Sequence, residues 1–103
     1  MKRVKRRYLA VQVDSDGALT AKEFMDAVWS AITGLYGEYG ASLTSLTLID
    51  CDVERKTAVI RTALVAVGMV RAALASVLSV GGREAAVHVV AVSGTLKSLR
   101  DKL

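Results

Sequence analysis

Histidine and cysteine each occur once, as His88 and Cys51. The usual ligands of a zinc site are therefore missing, and a Cys-His nucleophile would lack a third group to orient it. A single cysteine also excludes an internal disulfide, which fits a reducing compartment. Aromatic residues make up only 5% of the chain. Arg55 to Thr62 and Glu84 to Val92 contain none, and Tyr8 alone falls in a strand-like stretch, so stacking of bases on an open sheet face is poorly provided for. Long apolar runs are absent too. Ala72 to Gly82, one of the uncharged stretches, falls well short of the ~20 residues a membrane-spanning helix needs. The basic N-terminus leads into a mixed, strand-like segment and not into an apolar stretch with a small-residue cleavage site, so no secretory leader is expected. Repeats, low-complexity tracts and linkers do not occur.

What the chain does have is apolar content and unevenly placed charge. In 103 residues, 52% are hydrophobic and the mean hydropathy is +0.39. One domain over residues 1–103 is expected, with residues 1–6 as a basic arm, soluble and burying part of its apolar surface against a partner. The net charge is +4. Lys2, Arg3, Lys5, Arg6 and Arg7 crowd the N-terminus, whereas from Asp14 to Glu54 the acids Asp14, Asp16, Glu23, Asp26, Glu38, Asp50, Asp52 and Glu54 face Lys22 alone. From Arg55 onward the chain turns basic again. Basic ends around an acidic middle are expected where the two ends converge on a polyanion and another surface meets a different partner.

Hydrophobic periodicity divides the chain into elements. From Arg6 to Val13, Leu9, Val11 and Val13 alternate with Tyr8, Ala10 and Gln12, predicting a strand with one core face. Asp14-Ser15-Asp16-Gly17 turns the chain, and Thr20-Ala21-Lys22-Glu23 is a capping box that starts a helix from Ala21 to about Tyr36. At ~100° per residue its apolar side chains fill an arc of roughly 200°. Phe24, Val28, Ala31 and Leu35 form the expected core side, with Met25, Trp29 and Tyr36 on a shoulder suited to a protein interface or to cover by the chain's own ends. Gly37-Glu38-Tyr39-Gly40 ends that helix. Leu43 to Cys51 and Lys56 to Thr62 predict a hairpin turning at Asp52-Val53-Glu54-Arg55. Ala66 to Val80 predicts a second helix with Val67, Met69, Val70, Ala73, Leu74, Val77, Leu78 and Val80 on its apolar half, closed by Gly81-Gly82. Glu84 to Val92 predicts the last strand, and Leu96, Leu99 and Leu103 stripe a short terminal helix. The order is β-α-β-β-α-β plus a short helix. It predicts an α+β, RNA-recognition-motif-like (ferredoxin-like) sandwich: a four-stranded antiparallel sheet with both long helices on one face.

Chemistry-bearing residues are few. Ser93-Gly94-Thr95 joins the last strand to the terminal helix. Either hydroxyl can cap that helix, and its amides, with Lys97, Arg100 and Lys102 close behind, could receive a phosphate. His88 sits between valines on a strand and is expected to be packed or capped there. The carboxylate groups Asp14/Asp16 and Asp50/Asp52/Glu54 could in principle hold magnesium, but both lie at predicted turns, where Asp serves local hydrogen bonding. No metal site and no catalytic residue is assigned.

Arg7-Tyr8-Leu9, Ala27-Val28-Trp29, Gly37-Glu38-Tyr39-Gly40, Leu46-Thr47-Leu48-Ile49 with Asp50, Ile60-Arg61, Ala73-Leu74 and Val92-Ser93-Gly94-Thr95-Leu96-Lys97 occur in an order and spacing that resembles the archaeal ribonuclease P protein component 2 (Pop-five) family over about Arg6 to Leu103. The resemblance implies a protein subunit of the cytoplasmic ribonucleoprotein that removes the 5′ leader from precursor tRNA. It also implies that the RNA holds the active site and its magnesium, with no cofactor in this chain. The implied partners are ribonuclease P RNA, precursor tRNA, a thirty-kilodalton protein subunit and a second copy of the chain itself. Relative to the family pattern the basic segment after Thr95 is short, and so is the turn between the middle strands, which shifts expected RNA contacts toward the N-terminal arm.

On this reading Lys2, Arg3, Lys5, Arg6, Arg7, Lys97, Arg100 and Lys102 neutralise phosphates, Ser93, Gly94 and Thr95 present amides, and Met25, Trp29 and Tyr36 meet protein. RNA would be recognised by shape and charge and not by base sequence. The competing classes are a small interaction or ligand-sensing module of the same fold, and a magnesium-dependent nuclease acting through the aspartates.

Overall fold

The structure, a computed structural model, describes residues 5–103; the expected contacts of Lys2 and Arg3 lie outside the described residues. The elements are β1 (Arg6–Ser15), α1 (Ala21–Ser42), β2 (Thr47–Asp52), β3 (Thr57–Ala63), a 3-10 turn (Leu64–Ala66), α2 (Val67–Ser76), β4 (Ser79–Val80), β5 (Arg83–Ser93) and α3 (Leu96–Asp101). The strands form an antiparallel sheet in the order β2-β3-β1-β5-β4. The expected α+β class holds, but the sheet has five strands and not four.

The extra strand arises where the sequence predicts the end of a helix. α2 stops at Ser76, and Val77 is extended, with φ −70° and ψ 121°. Val77 and Val80 are still buried and Leu78 is 78% exposed, a spacing that a helix would also give, but beyond Val77 the chain pairs with β5, Ser79 with Glu84 and Val80 with Arg83, so it has left the helix. Gly81 and Gly82 have φ of 61° and 77°. Two consecutive positive φ values make the tight turn whose twist matches a hairpin, so these glycines join β4 to β5 and do not cap α2. Glu23 of α1 also places its carboxylate where a side chain on Gly81 would have to go.

α1 begins as predicted. Thr20 Oγ1 accepts the Glu23 amide at 3.1 Å and donates to Glu23 Oε1 at 2.9 Å. Its end differs: Gly37, at φ 74° and ψ 176°, kinks the helix, which then resumes to Ser42. Phe24, Val28 and Ile32 form the buried side, while Leu35, expected in the core, is 52% exposed beside the kink. These α1 residues, Val70, Ala73 and Leu74 of α2, and Leu9, Val11, Val13 and Ile60 of the sheet form one continuous core, so both long helices cover the same sheet face.

The other face is partly covered by α3. Leu99 is fully buried yet stands outside the main core, and Ala10, which points away from Leu9 and Val11, is buried as well. Since α3 contacts β1 and β5, Leu99 is buried against the face opposite the long helices, the face on which Ala10 lies. Leu96 is half-buried and Leu103 exposed, so the expected stripe rests mainly on Leu99. Leu99→Ala is expected to release α3 and to expose that face. Faster amide exchange confined to α3 and the facing edge of β5 would show it, and unchanged exchange would refute the docking.

Candidate nucleic-acid interface

Strand register collects the basic ends at one end of the sheet. Tyr8 of β1 pairs with Arg61 of β3 on one side and Ser93 of β5 on the other, and Arg61 pairs onward with Thr47 of β2. One row, Thr47-Arg61-Tyr8-Ser93, thus crosses the sheet. Arg6 and Arg7 stand at the same end of β1, and β5 leads there through Gly94 and Thr95 into α3. A Cβ built on Gly94 would lie 3.4 Å from Arg7 Nη1, so the guanidinium rests against the turn. In this way the structure brings Arg6 and Arg7 to Ser93-Gly94-Thr95. Lys5 is exposed, its carbonyl accepting the Leu64 amide at 2.8 Å.

The turn uses part of its own hydrogen-bonding capacity. Thr95 is the N-cap of α3, accepting the Ser98 amide at 3.1 Å, and Ser93 Oγ accepts the Thr95 amide at 3.4 Å. The Thr95 and Ser98 amides are thus already engaged within the turn. Lys97 and Arg100 are exposed, whereas Lys102 Nζ donates to the Val92 carbonyl at 2.8 Å, which ties the end of α3 to β5. Arg7 Nη1 donates to the Arg6 carbonyl at 3.0 Å.

The opposite end of the sheet carries the acids. Asp14 is there with Asp16, Asp50, Asp52, Glu54 and Glu84, and with Arg55, Lys56 and Arg83 among them. These carboxylates have local uses. Asp50 Oδ1 accepts the Cys51 amide at 2.9 Å, and Asp52 Oδ1 accepts those of Glu54 and Arg55 at 3.1 and 3.0 Å. Asp14 Oδ2 lies 3.0 Å from Nε2 of the exposed His88. Partial burial, reinforced by Asp50 and Asp52, pushes the Cys51 thiol above its ordinary range, which disfavours the thiolate. Among the described residues, no three His, Cys, Asp or Glu side chains come together as a metal site.

The expected protein-facing shoulder is placed unevenly. Met25 and Trp29 are half-buried against the core, while Tyr36 is exposed at the kink. Around it Leu35, Tyr39 (78% exposed) and Leu43 are also uncovered, a patch of large apolar side chains that a helix ending at Tyr36 did not predict. Arg61 was missed as well. Its alternation with the inward-facing Ile60 and Thr62 placed it on the outer face, but only strand pairing put it beside Tyr8.

Comparison with known proteins gives one consistent set of relatives. The profile of the Rpp14/Pop5 family matches residues 7–103. The chain is 33% identical over 100 residues to ribonuclease P protein component 2 of Pyrococcus horikoshii, covering 97% of this chain and 83% of that one. It is 34% identical to the protein of the same name from Pyrococcus furiosus over the same shares, and 30% identical to that of Methanosarcina mazei, covering 97% and 84%. In fold it is similar to a chain in a cryo-EM structure of yeast ribonuclease MRP, with a TM-score of 0.76 at 16% identity, covering 93% of this chain and 79% of the other.

Proposed function

The chain belongs to the Rpp14/Pop5 family, and from that premise we propose that it acts as a scaffold that holds the catalytic RNA of ribonuclease P in its working shape. It is a ribonuclease P protein subunit and takes part in tRNA processing. The observation that carries the scaffold role is the gathering of Arg6, Arg7 and the basic α3 at one end of the sheet, with most of the acids at the other. A polyanion is drawn to the first end and repelled from the second.

The strand order β2-β3-β1-β5 under two helices supports reading the fold as an RNA-recognition-motif-like (ferredoxin-like) sandwich with one added edge strand. Its usual stacking face is here narrowed by α3 and poor in aromatics, which favours recognition of shape and phosphate. Lys5, Arg6, Arg7, Lys97 and Arg100 are the main phosphate contacts, with Lys102 contributing once released from Val92. Lys2 and Arg3 extend the same set in sequence. Ser93, Gly94 and Thr95 shape the turn between the two basic ends. Met25, Trp29 and Tyr36, widened by Tyr39 and Leu43, form the surface for the thirty-kilodalton protein subunit or a second copy of the chain. Precursor tRNA and ribonuclease P RNA are the nucleic-acid partners, and the cytoplasm, where tRNA is matured in archaea, is the site of action.

In this role the cleavage chemistry and its magnesium belong to the RNA. Asp50→Ala combined with Asp52→Ala is expected to leave reconstituted precursor-tRNA cleavage within about twofold of the wild type, since Asp52 serves the β2–β3 turn and Asp50 a neighbouring amide of β2. Loss of cleavage by a folded double variant would instead favour chemistry in this chain.

A further inference from the structure

Arg61 lies in the middle of β3, on the face opposite the main core, with Ile60 and Thr62 buried behind it. Its cross-strand neighbours are Tyr8 and Thr47. The side chain is half-buried, and its Nε is shut off from solvent with no hydrogen-bond partner among the described residues. No carboxylate pairs with it there either: the only ion pairs among the described residues are Arg55 with Asp52 and His88 with Asp14.

An arginine in this situation weakens the fold, because a buried N–H without an acceptor loses its hydration and gains no bond in return, and no internal ion pair offsets that loss. Buried donors without partners are rare enough to call for an explanation. Packing also holds the stem of Arg61, so much of the rotamer freedom that a ligand would otherwise have to freeze is already lost. The residue therefore presents a pre-ordered, uncompensated cation in the same row as Tyr8 and Ser93, one strand from Arg6 and Arg7.

We propose that Arg61 is a phosphate-binding residue on the part of the sheet face that α3 leaves uncovered, and that it extends the RNA path from Arg6 and Arg7 at the end of β1 onto the neighbouring β3. Its planar guanidinium suits a phosphate oxyanion, which it can meet through two parallel N–H groups. The inference rests on the RNA-scaffolding role and adds a contact on the sheet itself, away from both chain ends.

The test is binding of the full chain to ribonuclease P RNA across a salt series, for wild type, Arg61→Gln and the α3 variant with Lys97 and Arg100 changed to Gln. Losing one phosphate contact lowers the slope of log affinity against log salt by about 0.7–0.9 and weakens binding at ~0.15 M salt roughly fivefold, and this is expected for Arg61→Gln. Should Arg61→Gln fail to fold, as judged by its thermal transition, Arg61→Met keeps the packed stem without the charge and is expected to lose the same slope. Arg61→Lys should retain the slope and lose only about two- to threefold in affinity. An unchanged slope in the folded neutral variant, with the α3 variant impaired, would overturn the Arg61 site and leave the scaffold role standing. Equal losses for the Lys and neutral variants would assign the effect to packing and also overturn it. Wild-type behaviour by every variant would overturn both.

Discussion

Neutralising Lys97, Arg100 and Lys102 together, by substitution to Gln, is expected to weaken binding to ribonuclease P RNA by about thirty- to a hundredfold at ~0.15 M salt, and to lower the salt slope by about 1.5–2.5. The range reflects what the three side chains are doing. Lys97 and Arg100 are exposed, whereas Lys102 is partly engaged with the Val92 carbonyl and releases fewer counterions on binding. Because all three residues are exposed, their loss should cost the fold little beyond the one solvent-exposed bond from Lys102 to Val92. Arg100, in the last turn of α3, contributes at most a few tenths of a kcal/mol through the helix dipole. A thermal transition within a few degrees of wild type, alongside the loss in affinity, would separate charge from folding. An unchanged slope would remove α3 from the RNA site.

Phe24→Ala is expected to reduce folding stability by about 3–5 kcal/mol, the largest single effect a substitution here should have. Phe24 is the largest fully buried side chain, and it joins α1 to the sheet and to α2 within one core. A domain of this size has roughly 5–15 kcal/mol in all, so the variant should stand near its folding midpoint in mild denaturant. Urea unfolding followed by circular dichroism measures this directly. A loss below about 1 kcal/mol would mean that α1 is not seated as described.

The contrast between these two substitutions matches what could be read in the chain beforehand. Core positions were legible where a single period ran unbroken: Leu9, Val11 and Val13 in β1, and Phe24 and Val28 in α1, are buried as their spacing required. Legibility failed where two periods meet. Val77 and Val80 continue the helical stripe of Val70, Ala73 and Leu74, β4 is only two residues long, and Gly-Gly serves a helix end as readily as a hairpin, so β4 was hidden inside an apparent helix. Gly37 misled in a related way. A glycine at positive φ ends most helices it enters, but here the chain resumes its helix beyond the kink, uncovering Leu35 and Tyr39.

For the candidate site, charge placement along the chain showed that the two ends are basic, and the register of β1 against β5 brings them together. No local pattern could foretell that Arg61 would join them. Its alternation set the face it occupies, but which strand lies alongside is decided by topology, and its missing partner exists only in the folded chain.

The measurement that bears most directly on the central claim is reconstitution of archaeal ribonuclease P from its RNA and protein subunits, with this chain included or omitted, followed by the rate of 5′-leader removal from precursor tRNA at fixed magnesium. A scaffold role predicts that omission slows cleavage, that adding the chain back restores the rate, and that raising magnesium partly replaces it by screening the RNA phosphates. Cleavage at the same rate with and without the chain, at every magnesium concentration, would contradict that role.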